Sequence, residues 1–175
     1  MSEHEVEEAA LVNAEEVVLT VKSGLNEECE HKLPYGAPLL RVVEVVARNR
    51  GLLAEEFIIT REGQVEELSL QLVIEPDYPH RRRHHVHHKS QVRVIVFYGA
   101  KEAEQDFKRH ATVEEVLTWA VAVKQFDIDA SMAPEFELTL QGLKEELSGA
   151  EHIGHLAGHE TALKLDLVRG DIANG

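Results

Sequence analysis

The sequence predicts an α+β protein built as two tandem copies of one small domain, and three observations carry that prediction. A thirteen-residue motif occurs twice, a β-branched run closed by a glycine opens each half, and one apolar helical stripe lies between them. The motif reads FIITREGQVEELS at residues 57–69 and FELTLQGLKEELS at residues 136–148. Seven of the thirteen positions are identical: Phe57/Phe136, Thr60/Thr139, Gly63/Gly142, Glu66/Glu145, Glu67/Glu146, Leu68/Leu147 and Ser69/Ser148. Chance gives about one match at residue frequencies of ~6%, so the motif records a duplication.

The elements follow in order. Val17–Val21 before Gly24 and Val92–Val96 before Gly99 are β-branched runs, and each reads as a strand entering a turn. A second strand near Glu28–Leu33, and near Gln105–His110 in the second half, completes a hairpin. Thr112 and Glu115 form a capping box, and Val113, Val116, Leu117, Ala120 and Val123 follow on one helical face. In the first half Pro38 suits the first helical position. There Leu39, Leu40, Val43, Val46 and Ala47 make the stripe, and Gly51 stops it. The repeated motif supplies a third strand and its turn. Leu163, Leu165 and Leu167 alternate with Lys164 and Asp166, which predicts a last strand buried on one face. The expectation for the first half is that Leu70–Ile74 does the same work, with about a dozen residues missing before it.

Charge divides the chain into three. Residues 1–76 carry 16 acids and 6 Lys/Arg, net −10; residues 77–91 carry one acid and four, net +3; residues 92–175 carry 15 and 8, net −7. Acidic surfaces repel phosphate backbones, which argues against nucleic-acid binding. No apolar run approaches the ~20 residues of a membrane span, and the acidic start lacks a signal pattern, so the expected location is cytoplasmic. The resulting boundaries are a flexible acidic N-terminus (1–14), a first domain (15–76), a basic His-rich linker (77–90), a second domain (91–169) and a flexible C-terminal tail (170–175).

Hairpin, helix, strand, strand is also the order of ubiquitin, and Thr161–Gly170 (TALKLDLVRG) resembles the last strand and Arg-Gly tail of ubiquitin-like modifiers. Each half is therefore expected to be a β-grasp unit, a mixed sheet with one central helix. Two such units with a terminal glycine resemble the interferon-stimulated two-domain modifier of vertebrates, and more closely its bacterial counterpart, the Bil-type antiphage conjugation systems. That resemblance implies a modifier activated by an E1-like enzyme, passed to an E2-like enzyme and removed by a metal-dependent peptidase. Implied targets include phage structural proteins. The family's conjugating glycine maps to Gly175, with Gly170 as the alternative because the tail ends Arg169-Gly-Asp-Ile-Ala-Asn-Gly175 rather than in a double glycine. Asp166 stands where ubiquitin-like recognition surfaces often carry an apolar residue, so receptors that read such a patch are not expected to bind.

No catalytic constellation is visible, and the chain reads as a modifier and not an enzyme, with no cofactor. Cys29, the only cysteine, lies among acids in a predicted strand, where thiolate chemistry is discouraged. Ser69 and Ser148 show no triad. His84 and His88 would share a helical face at a spacing that binds Zn²⁺ or Ni²⁺, but a solvated linker is the preferred reading. His152, His155 and His159 resemble ligands yet fall in a glycine-punctuated segment with no completing carboxylate. The alternative function is a non-covalent adaptor of two docking units. A sulfur carrier fits less well, because those carriers are generally single units.

Overall fold

The computed structural model describes residues 15–170, and the chain divides into two compact units between Lys89 and Ser90. The first contains β1 (Glu16–Gly24), β2 (Glu27–Pro34), α1 (Leu40–Asn49), β3 (Phe57–Arg61), the two-residue β4 (Glu67–Leu68) and β5 (His84–His88). The second contains β6 (Val92–Tyr98), β7 (Lys101–Phe107), α2 (Val113–Val121), β8 (Phe136–Leu140), the short α3 (Ile153–Ala157) and β9 (Ala162–Arg169). Strand order is β2-β1-β5-β3-β4 in one sheet and β7-β6-β9-β8 in the other. In both, the first and last strands pair in parallel and all other neighbours antiparallel. Each unit is thus a β-grasp sheet with one principal helix, and the duplication is structural.

Register makes the correspondence residue by residue. Val21 lies opposite His84 as Val96 lies opposite Leu165, and Ile59 faces Val86 as Leu138 faces Leu167. The cores follow the same template. Val17, Leu19 and Val21 of β1 and Val92, Val94 and Val96 of β6 are all buried on the helix side. Val42, Val43, Val46 and Ala47 of α1 pack onto the first set, and Val113, Val116 and Ala120 of α2 onto the second. Burying a side chain of the Leu165 class contributes roughly 1.5–3 kcal/mol.

The helix ends explain why the helices sit where they do. Thr112 Oγ1 accepts from the Glu115 amide at 3.2 Å, the expected N-cap. At the end of α1 the Leu52 amide reaches the Ala47 carbonyl and the Gly51 amide that of Arg48, a Schellman closure with Gly51 at φ +67°.

Three expectations are corrected. Leu70–Ile74 is not a strand: Leu70 and Leu72 turn their carbonyls onto the Leu40 and Leu39 amides at the start of α1, and only Ile74 is fully buried. Gly149 and Glu151 do the same for Glu114 and Val113 in the second unit, so this loop serves the helix N-terminus in both. The last strand of the first unit is instead His84–His88, so the segment 77–90 is not a linker along its length. Its basic, histidine-rich composition conceals a strand at the centre of the sheet. Measured from Ser69 to His84 and from Ser148 to Leu165, the first unit is shorter by only two residues, 15 against 17. Finally, the second strand of the second hairpin is Lys101–Phe107 rather than Gln105–His110, because the turn follows Tyr98 immediately. Among the described residues no helix is long and apolar enough to cross a membrane.

Candidate functional site at the end of the last strand

β9 is held on both sides, by β6 in parallel and β8 antiparallel, and its leucines face the core as the alternation predicts. Its outward residues do separate work. Asp166 accepts the Gly142 amide at 2.9 Å and so closes the turn after β8, where Gly142 sits at φ +79°. Asp166 is therefore occupied by the fold. Arg169 meets the Glu135 carboxylate through Nε at 2.9 Å and Nη2 at 2.5 Å, on the surface.

Gly170, the last of the described residues, is tied to the domain. Its amide donates to the Glu135 carbonyl at 2.6 Å. A Cβ built there meets that same carbonyl at 3.2 Å and a Glu137 carboxylate oxygen at 3.3 Å. Glycine is what lets the chain leave the sheet this close to neighbouring oxygens. Gly175, the first choice for a conjugating residue, lies outside the described residues, as do the remainder of the tail and the acidic N-terminus.

The first unit ends differently at the matching place. Lys89 donates its amide to the Glu56 carbonyl at 2.8 Å, as Gly170 does to Glu135, but three residues later β6 begins.

The approach to β9 is fixed by a residue that the sequence reading did not single out. Arg109 is buried, and it binds Ser90 Oγ at 3.1 Å and the carbonyls of Gly158 and Glu160 at 2.9 and 2.8 Å. Three hydrogen bonds from one guanidinium, two of them to the loop end, are strong and directional. They set the course of the chain from α3 into β9. Nothing in the sequence marks Arg109, because its partners are main-chain groups some fifty residues away.

The other sequence candidates fall as follows. His84 faces the core and lies 2.5 Å from the Tyr78 hydroxyl, with the Arg61 guanidinium 4.8 Å over the tyrosine ring. Burial pushes the His84 imidazole down to about 4, so it is neutral, and its Nε2 shares a hydrogen bond with the Tyr78 hydroxyl. His88 packs edge-on against Phe57 with ring centroids 5.4 Å apart. Because β5 is extended, residues four apart are separated by ~13 Å, and the expected His84–His88 pairing for a metal disappears. His152 and His155 are not in an irregular loop but at the start of α3 and within it. Ser69 and Ser148 accept amides in turns, from Leu72 and Glu151 respectively. Cys29 is exposed on β2.

Residues 93–170 match the family model described as BilA ubiquitin-like domain 2. This half of the chain is similar to the second ubiquitin-like domain of BilA. Together with the duplicated β-grasp topology, the match supports the resemblance to a tandem ubiquitin-like protein of the Bil type. Among solved structures, Caldiarchaeum subterraneum ubiquitin is 21% identical, with a TM-score of 0.37 over 47% of this chain and 98% of its own. The ubiquitin-like domain of Arabidopsis thaliana At2g32350 is 15% identical, with a TM-score of 0.35 over 49% of this chain and 84% of its own. No curated protein matches the sequence.

Proposed function

We propose that this chain is a ubiquitin-like protein modifier, joined to target amines through a glycine carboxylate at its C-terminal end, Gly175 or, after trimming, Gly170. One observation supports the reading: of two equivalent final strands, β5 passes at Lys89 into the next domain, whereas β9 passes through Arg169 to a glycine, Gly170, at the matching position. The chemistry asks for such a tail. ATP adenylates the carboxylate with release of pyrophosphate, and an E1-like cysteine displaces AMP to give a thioester. After transfer to an E2-like cysteine, a target amine displaces the thiol and forms the amide. A glycine at the reacting end lets enzyme groups approach from every side. A metal-dependent peptidase would hydrolyse the amide and regenerate the tail. The setting proposed is cytoplasmic antiphage defence, with phage structural proteins among the targets, and the chain itself performs no catalysis.

The test is reconstitution with the cognate E1-like and E2-like enzymes and ATP. Deleting 170–175 is expected to abolish the thioester and every conjugate, and deleting Gly175 alone to do so when Gly175 is the linked residue. Conjugation undiminished by the longer deletion overturns the reading. Partner capture that survives that deletion with no thioester formed favours the adaptor instead.

A further inference from the structure

β5 reads His-His-Val-His-His, and the pleat divides it. His84, Val86 and His88 point to the helix side, whereas His85 and His87 stand together on the opposite face. The rings of His85 and His87 are parallel within 2°, with centroids 6.3 Å apart, and they offer ring nitrogens within 4.8 Å of one another. Glu62 places a carboxylate oxygen 3.7 Å from Nε2 of His85. The second unit has a pair of its own. His152 and His155 lie one helical turn apart, parallel within 4°, with centroids at 5.6 Å and ring nitrogens again within 4.8 Å. His85, His87 and His155 are buried and His152 nearly so. Within each pair the ring nitrogens are close enough that a rotation of the side chains would turn both onto one ion.

We propose that each of these imidazole pairs, His85/His87 in the first unit and His152/His155 in the second, is a binding site for a late first-row divalent ion, Zn²⁺ in the first instance. Neutral imidazole suits Zn, Ni, Cu and Co, whereas Mg²⁺ and Ca²⁺ ask for oxygen ligands. At Zn–N distances of ~2.0 Å two tetrahedral ligands stand ~3.4 Å apart, within a small side-chain adjustment of the pairs as they lie. His84 and His88 take no part: one is engaged by Tyr78 and the other packs on Phe57.

The full chain, stripped with chelator, is titrated with Zn²⁺ by calorimetry and with Co²⁺ by visible absorption. Wild type is expected to take up metal and to show the d–d bands of nitrogen-ligated Co²⁺. H85Q/H87Q and H152Q/H155Q are each expected to lower the affinity by about tenfold or more, or to remove ions bound. The control H80A/H159A, which removes two histidines outside the pairs, is expected to match wild type. Because a buried pair can matter to folding, imidazole ¹⁵N resonances of unmodified protein are followed through the same titration, with shifts expected for the four named histidines. No uptake by wild type, uptake unchanged in both double variants, or ring shifts confined to other histidines overturns the proposal.

Discussion

At the scale of single residues, the clearest determinant is the buried triad of Tyr78, His84 and Arg61. His84 takes the place that Leu165 holds in the second unit, so a titratable ring occupies a core position. Its pKa lies below the unfolded value of 6.5, at about 4, chiefly through burial. Between those values the unfolded chain binds the extra proton, so stability is complete above pH 6.5 and is lost as pH falls toward 4. The loss amounts to roughly 2–3 kcal/mol. Replacing His84 with Leu, as the second unit has it, is expected to shrink that dependence to the share left by His85, which burial also pushes down to about 4. Denaturant midpoints at pH 7.5 and 4.5 in chelator, measured in both proteins, check this, and equal slopes would refute the assignment. The Arg169–Glu135 pair carries no comparable weight, since an exposed ion pair contributes about 0–1 kcal/mol.

At the scale of elements, legibility tracked how much of each element's logic is local. α2 could be read to its first residue because Thr112 and Glu115 announce the cap, and the end of α1 because Gly51 announces the Schellman turn. The latter gives a sharp prediction. A Cβ on Gly51 meets nothing within 4 Å, so the effect of Gly51→Ala is purely backbone, at φ +67°. It should destabilise by about 1 kcal/mol or slightly more, seen as a lowered melting midpoint with unchanged circular dichroism. β5 was illegible for the opposite reason. Four of its five residues are histidines, and no periodicity in that run signals a strand; its burial comes largely from Phe57 and the flanking β1 and β3, all distant in sequence. Leu70, Leu72 and Ile74 misled because their alternation is real, but their carbonyls are spent on the amides of α1 rather than on a sheet. The tail was readable only as a resemblance, while Arg109, which aims the chain into β9, left no local trace.

At the scale of the whole molecule, the two units share one plan and differ at their exits. Lys89 and Gly170 hold matching positions and make the same amide-to-carbonyl bond, to Glu56 and Glu135. If the proposed function holds, the expected behaviour of a graft follows. Replacing Lys89-Ser90-Gln91 with Arg-Gly-Gly followed by a flexible spacer should make the tandem a substrate for the cognate peptidase at the new junction, with two fragments resolved by mass spectrometry. Wild type should stay whole under the same treatment. A wild-type chain cut at Lys89 would contradict this.

That difference at the exits bears on turnover. A polyprotein of repeated modifiers is ordinarily matured by cutting after each copy, and each cut multiplies the number of tags. Here the first copy ends in lysine, is stitched to its own sheet, and passes into the next strand without a cleavable glycine. If the proposed function holds, the pair is attached and recycled only as one indivisible tag, so a single proteolytic event removes the full bulk of both domains from a target and returns both for reuse.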